Sequence, residues 1–195
     1  MSELLLIKHA PPQITPEVIS HRWVLSAEGR ARCGWLVEVC RARGVTRLFA
    51  SPEPKTLETA ALVAMALGGS FRPLDGLQEN DRTGLGFVSP DVLEARITAF
   101  FEDPDAVAIG AETARAVLAR FQAAIDVAVA SAPGEAIAVV THGTAMSTFI
   151  AAHNAIDPLS LWRDLTLPGV AVLDAATYRL LEPLIPHPDA QAPKS

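Results

Sequence analysis

At 195 residues the chain is long enough for one domain with a substantial core, and its net charge of −6 comes without any basic block, so the cationic surface of a nucleic-acid binder is not expected. A hydrophobic content of 50% against 19% charged residues, with mean hydropathy +0.27, excludes a disordered chain. No apolar run approaches the roughly 20 residues of a spanning helix, and Lys8 and His9 interrupt the first run before it reaches signal-peptide length, so no membrane association is expected.

Leu4 to Lys8 reads as a buried strand that breaks off at His9. Residues 11–25, with Pro11, Pro12 and Pro16, form a loop longer than a simple connector. Ser26 caps a helix whose apolar positions run through Cys33, Leu36, Val37 and Cys40 until Gly44 stops it. Arg47 to Ala50 is a second strand, and Ser51-Pro52 reads as the N-cap and first position of a helix that runs through Val63 to Gly68-Gly69. Phe71 to Leu74 is an edge-like third strand, followed by loops and a short helix from Asp91 to Phe101.

A long helix is expected from Thr113 to Ala130, on the spacing of Val117, Phe121 and Ile125. Strand 136–141 then ends at Thr141-His142-Gly143, and a helix follows over 144–152. Val170–Leu173 and Tyr178–Leu181 suggest a closing hairpin. Strands alternating with helices imply an α/β fold, a single three-layer domain with a mostly parallel central sheet flanked by helices. The domain is expected over 1–182, with 183–195 a loose proline-rich tail. Cys33 and Cys40 are the two cysteines, seven apart on one helix, without zinc spacing. They read as buried thiols in a reducing, cytoplasmic setting.

Two histidines, His9 and His142, each terminate a separate buried strand. If those strands are parallel neighbours, both imidazoles come to the carboxyl edge of the sheet, where open α/β folds bind ligands, and Lys8 comes with them. A pair of imidazoles among cations suits a dianion such as a phosphate ester. Lys55 lies in the first turn of a helix that starts at a strand end, a position that attracts anions. Glu79, in the loop after the third strand, becomes chemically interesting where a leaving group needs a proton. His21, His153 and His187 lack such placement.

In this order the segments resemble the histidine phosphatase superfamily, which includes the phosphoglycerate mutases. Lys8-His9-Ala10 stands where that family has Arg-His-Gly. Ser51-Pro52, Lys55 and Glu58-Thr59-Ala60 match its Ser-Pro, arginine, Glu-Thr-Ala motif. Glu79 corresponds to its loop acid, Gly110-Ala111-Glu112-Thr113 to its Gly-Glu-Thr element with one residue inserted, and Val139 to Gly143 to its final His-Gly strand. The resemblance spans roughly residues 4–150.

It implies a phosphomonoester hydrolase with no metal or cofactor, acting on a small phosphorylated molecule or a phosphoprotein. His9 would be the nucleophile that forms a phosphohistidine, and Lys8, Lys55 and His142 would bind the phosphate. Glu79 would exchange protons with the leaving group and the attacking water. Both family arginines are lysines here, and lysine supplies a point charge where arginine offers a planar fork. Arg22 or Arg82 would restore a guanidinium. Two other readings share the motifs: a catalytically weak phosphate-binding regulator, and a mutase-like phosphotransferase. Specificity is expected in loops 11–25 and 76–110, where Trp23, Leu85 and Phe87 suggest an apolar contribution. The substrate and the oligomeric state are not legible.

Overall fold

The structure, a computed structural model, describes residues 2–189. Its strands are β1 (Glu3–Lys8), β2 (Val45–Ala50), β3 (Phe71–Pro73), β4 (Ala136–Thr141), β5 (Gly169–Asp174) and β6 (Ile185–Pro186). Its helices are α1 (Ala27–Ala42), α2 (Pro54–Ala66), α3 (Pro90–Glu102), α4 (Ala114–Ala130), α5 (Gly143–His153) and α6 (Pro158–Asp164). The strands form one sheet in the order β3-β2-β4-β1-β5-β6. The pairs β3–β2, β2–β4 and β4–β1 are parallel, and β5 runs antiparallel to both neighbours. This is the expected single α/β domain with a mostly parallel sheet.

Period-two alternation along β1 divides the core. Leu4 and Leu6 face a layer that includes Phe100 of α3, Phe121 of α4 and Phe149 of α5. Leu5 and Ile7 face the opposite layer, with Leu36 and Cys40 of α1 and Ala60 and Val63 of α2. A strand segment buried on both faces must be apolar throughout, which is why residues 4–7 of β1 and 137–140 of β4 are unbroken apolar runs. Cys33 and Cys40 are buried, unpaired thiols on α1, and burial pushes them up to about 11 and about 12.

The structure departs from the sequence expectations in four places. Helix α2 starts at Pro54, with Glu53 as its N-cap residue, so Ser51 does not cap it and its hydroxyl is released for other work. Helix α6, seven residues long and capped by Asp157, falls in a segment to which the sequence assigned no element. The closing hairpin reduces to β5 and one isolated bridge, Leu173 to Leu180, around a turn in which Asp174 accepts from the Thr177 amide. The first part of the proline-rich tail is not loose: Ile185–Pro186 pairs with Gly169–Val170, and His187 is buried edge-on against Trp35. Residues 190–195 of that tail lie outside the described residues. Among the described residues, no helix is long and apolar enough to cross a membrane.

Helix α1 docks so tightly under the post-β1 loop that a Cβ at Gly29 would stand 2.1 Å from the Pro11 carbonyl oxygen. Gly34, on the exposed side of the same helix, has nothing within 4 Å. Gly29→Ala is therefore expected to destabilise by about 1–3 kcal/mol through overpacking, whereas Gly34→Ala gains up to about 1 kcal/mol of helix propensity. Opposite shifts in thermal midpoint check this pair.

Candidate active site

The parallel register of β1 and β4 pairs Lys8 with Thr141, and the next residue along each strand is a histidine. The His9 amide donates to the Thr141 carbonyl at 3.0 Å, so both chains leave the sheet together. The two rings stand edge to face, with centroids 5.3 Å apart. His9 is 7% exposed and His142 0%.

His9 Nδ1 lies 2.8 Å from the carbonyl oxygen of Ala10. A carbonyl only accepts, so Nδ1 carries the hydrogen and Nε2 keeps a bare lone pair. Burial above all, reinforced by the Lys55 ammonium, holds the His9 pKa well below the ordinary histidine value. Burial and Lys55 act on His142 in the same way. His142 Nε2 is 2.8 Å from Ser51 Oγ and 3.3 Å from Glu53 Oε1. Its Nδ1 is buried with no partner among the described residues.

Four cationic or acidic side chains surround the rings. Lys8 Nζ donates to the Leu165 carbonyl at 2.8 Å and opens onto a cleft of about 1030 Å³, with Trp162 and Arg163 on its wall. Burial, partly offset by Glu79, lowers the Lys8 ammonium to about 8. Lys55 is buried; its Nζ donates to Glu53 Oε2 at 2.6 Å and to the Ser20 carbonyl at 2.9 Å. Glu79 caps α5, accepting from the amides of Thr144 at 3.1 Å and Ala145 at 2.9 Å as well as from its neighbour Asn80. The Gly143 amide has no partner among the described residues. Arg82 reaches Glu79 Oε2 at 3.3 Å and Thr144 Oγ1 at 3.2 Å.

Every site residue expected from the sequence, His9, Glu79, His142, Lys8 and Lys55, thus gathers at the carboxyl edge of β1, β2 and β4. Of the two arginines considered, Arg82 joins them, while Arg22 is exposed in the 3₁₀ turn Ser20–Arg22. Two contributors escaped the sequence reading. Glu53 binds Lys55, approaches His142 and accepts from the Glu79 amide at 2.9 Å. The signal for it was a carboxylate two residues before the helix-start lysine. Arg120 donates to the carbonyls of Gly76, Gln78 and Glu79 and forks onto Glu112, which accepts from the Asp81 amide. That brace holds the Glu79 loop against α4. No group of three or more His, Cys, Asp or Glu with metal-binding geometry occurs among the described residues.

A model of the histidine phosphatase superfamily, branch 1, matches residues 5–179. No curated protein sequence matches the chain. Among solved structures, a mycobacterial glucosyl-3-phosphoglycerate phosphatase superposes with TM-score 0.74 at 18% identity, over 98% of each chain. A phosphoserine phosphatase from Entamoeba histolytica gives TM-score 0.75 at 15% identity, over 95% of this chain and 97% of its own. YhfR of Bacillus stearothermophilus gives TM-score 0.71 at 20% identity, over 93% and 96%. At such identities these neighbours share the fold.

Removing one member of a buried ion pair strands the other. Glu53→Ala leaves the Lys55 ammonium with a single carbonyl, an expected loss of about 3–5 kcal/mol, and Glu53→Leu combined with Lys55→Met recovers the part due to the stranded charge but not the part due to the freed Glu79 amide. Urea unfolding midpoints of the single and double variants decide whether the pair is coupled in this way.

Proposed function

Because the chain belongs to the histidine phosphatase superfamily, we propose that it is a phosphomonoesterase working through a phosphohistidine at His9. The observation that carries this reading is the 2.8 Å contact of His9 Nδ1 with the Ala10 carbonyl: since a carbonyl only accepts, it commits Nδ1–H and leaves the Nε2 lone pair free beside a second buried imidazole. In-line attack by that lone pair forms the N–P bond as the ester P–O bond breaks, and the leaving oxygen takes up a proton delivered through Glu79, to which the attacking water later returns one. Water then displaces the imidazole from phosphorus, releasing phosphate and restoring His9.

Phosphoryl transfer is accelerated chiefly by positioning and by neutralising the equatorial oxygens. Lys8, Lys55 and Arg82 supply positive charge, and the unpartnered Gly143 amide at the start of α5 adds a donor. With the Ser51 hydroxyl donating to Nε2, His142 presents an Nδ1–H for which a phosphate oxygen is a fitting acceptor. Glu79 has a carboxylate at the same helix end and serves the proton transfers, with Arg82, held by long bonds of 3.2 to 3.3 Å, turning from it to the substrate. The substrate is a small phosphorylated molecule or a phosphoprotein met in the cytoplasm.

One observation favours the second reading, a phosphate-binding protein with little turnover: the Lys55 charge is already matched by buried Glu53. Acid-quenched incubation with a phosphorylated substrate, followed by intact-mass measurement, separates the two. One added phosphoryl group, lost in His9→Ala together with turnover, supports the enzyme; reversible binding without it supports the regulator.

The lysine at position 8 carries its own signature. With its pKa at about 8, the ammonium is charged below that pH and neutral above it, so kcat/KM is expected to fall as pH rises through about 8. Lys8→Arg, which cannot deprotonate in this range, removes that alkaline limb. An identical limb in Lys8→Arg assigns the titration to another group.

A further inference from the structure

Between the post-β1 loop and the segment that leads into α3 lies a pocket of about 220 Å³. Its walls are apolar, built from Ile14, Val18 and Trp23 on one side and from Leu85, Phe87 and Leu93 on the other. The Trp23 indole N–H is already spent on the Thr15 and Val18 carbonyls, at 3.0 and 2.9 Å, so the ring serves the pocket as a pinned hydrocarbon wall. Ile14 and Phe87 remain 58% and 55% exposed, an apolar rim with no covering partner in the described chain.

The pocket is linked to the candidate active site through two of its lining residues. Arg82 is its one charged lining residue, and the same guanidinium bonds Glu79 and Thr144 at the candidate active site. Ser20 also lines it, and the Ser20 carbonyl receives Lys55 Nζ. Arg82 is thus the one charge in the lining, shared with the candidate site, and the rest offers neither an ammonium for a carboxylate nor a carboxylate for an amine. With Arg82 engaged by the phosphate, a polar alcohol such as glycerate or serine would lose water against the apolar walls with little to replace it.

Resting on the phosphatase reading above, we propose that this pocket takes the leaving group, and that the preferred substrates are phosphomonoesters of uncharged, apolar alcohols. A cavity of roughly 150 Å³ holds benzene, so the pocket accommodates a ring or short branched chain of somewhat greater size. Each methylene buried from water is worth about fourfold in binding, so a chain that fills the pocket separates clearly from a polar one of equal length.

The test compares hexyl phosphate, glycerol 3-phosphate and 3-phosphoglycerate, whose alcohol leaving groups are of similar intrinsic reactivity. The expected result is a kcat/KM for hexyl phosphate at least about tenfold above both others, with the ratio collapsing in Phe87→Ala and in Trp23→Ala, whose folding is verified by circular dichroism. Equal or greater turnover of 3-phosphoglycerate overturns the inference and leaves the phosphatase reading intact. If none of the esters is hydrolysed and no phosphoenzyme forms, it is the phosphatase reading that fails. Titration with hexylphosphonate against methylphosphonate then judges the pocket: tighter binding of the longer chain supports it, and equal binding overturns it.

Discussion

A backbone hydrogen bond one step beyond the sheet, from the His9 amide to the Thr141 carbonyl, organises the candidate site. It extends the β1–β4 register past Lys8 and Thr141, and so forces two residues far apart in sequence to leave the same edge side by side. The imidazoles need no helix or loop to aim them. Shifting the strands by one residue would send one ring to the opposite face, and such a shift is opposed because it would carry Glu3 or Lys8, at the ends of β1, into the apolar layers.

Around that pair the chain arranges charge economically. A protein of net charge −6 draws Lys8, Lys55, Arg82 and Arg120 to one edge and meets them with Glu53, Glu79 and Glu112. Desolvation keeps both imidazoles neutral, which preserves a lone pair on His9. The carboxylates also do mechanical work. Glu53 and Glu112 receive the backbone amides of Glu79 and Asp81, and Arg120 binds three carbonyls of the same loop, so the acidic loop is clamped at several points. Gly110 shares in this closeness: at φ +65° it passes so near the Asp81 carbonyl that no side chain fits.

The parts of this arrangement that follow from local pattern were legible in the sequence. Apolar runs that stop at His9 and His142 marked strand ends, and strand ends share an edge once the sheet is parallel. Lys55 and Glu79 were legible from their positions after strands, whereas Arg82 was legible only as one of two loop arginines, of which Arg22 is exposed. Glu53 was not, because Ser51-Pro52 imitates a helix start two residues early and so disguises a buried carboxylate as a surface one. Arg120 was hidden for a different reason: its partners Gly76, Gln78 and Glu79 are more than forty residues away and present only carbonyls, which every residue has. Helix α6 is a single capped stretch of seven residues, too short for its apolar spacing to register. The pairing of Ile185–Pro186 with β5 is a tertiary edge contact that overrides the loop preference of a proline-rich segment.

The two thiols on α1 bear on how the protein meets oxidants and electrophiles. Thiolate is the reactive form, and with Cys33 and Cys40 shifted upward by burial almost none exists at neutral pH. Alkylating reagents reach them only when α1 lifts away from the sheet, so their labelling rate is a clock for opening of the fold. Peroxide and disulfide reagents find little thiolate on this helix, so neither cysteine offers a redox handle on the folded protein.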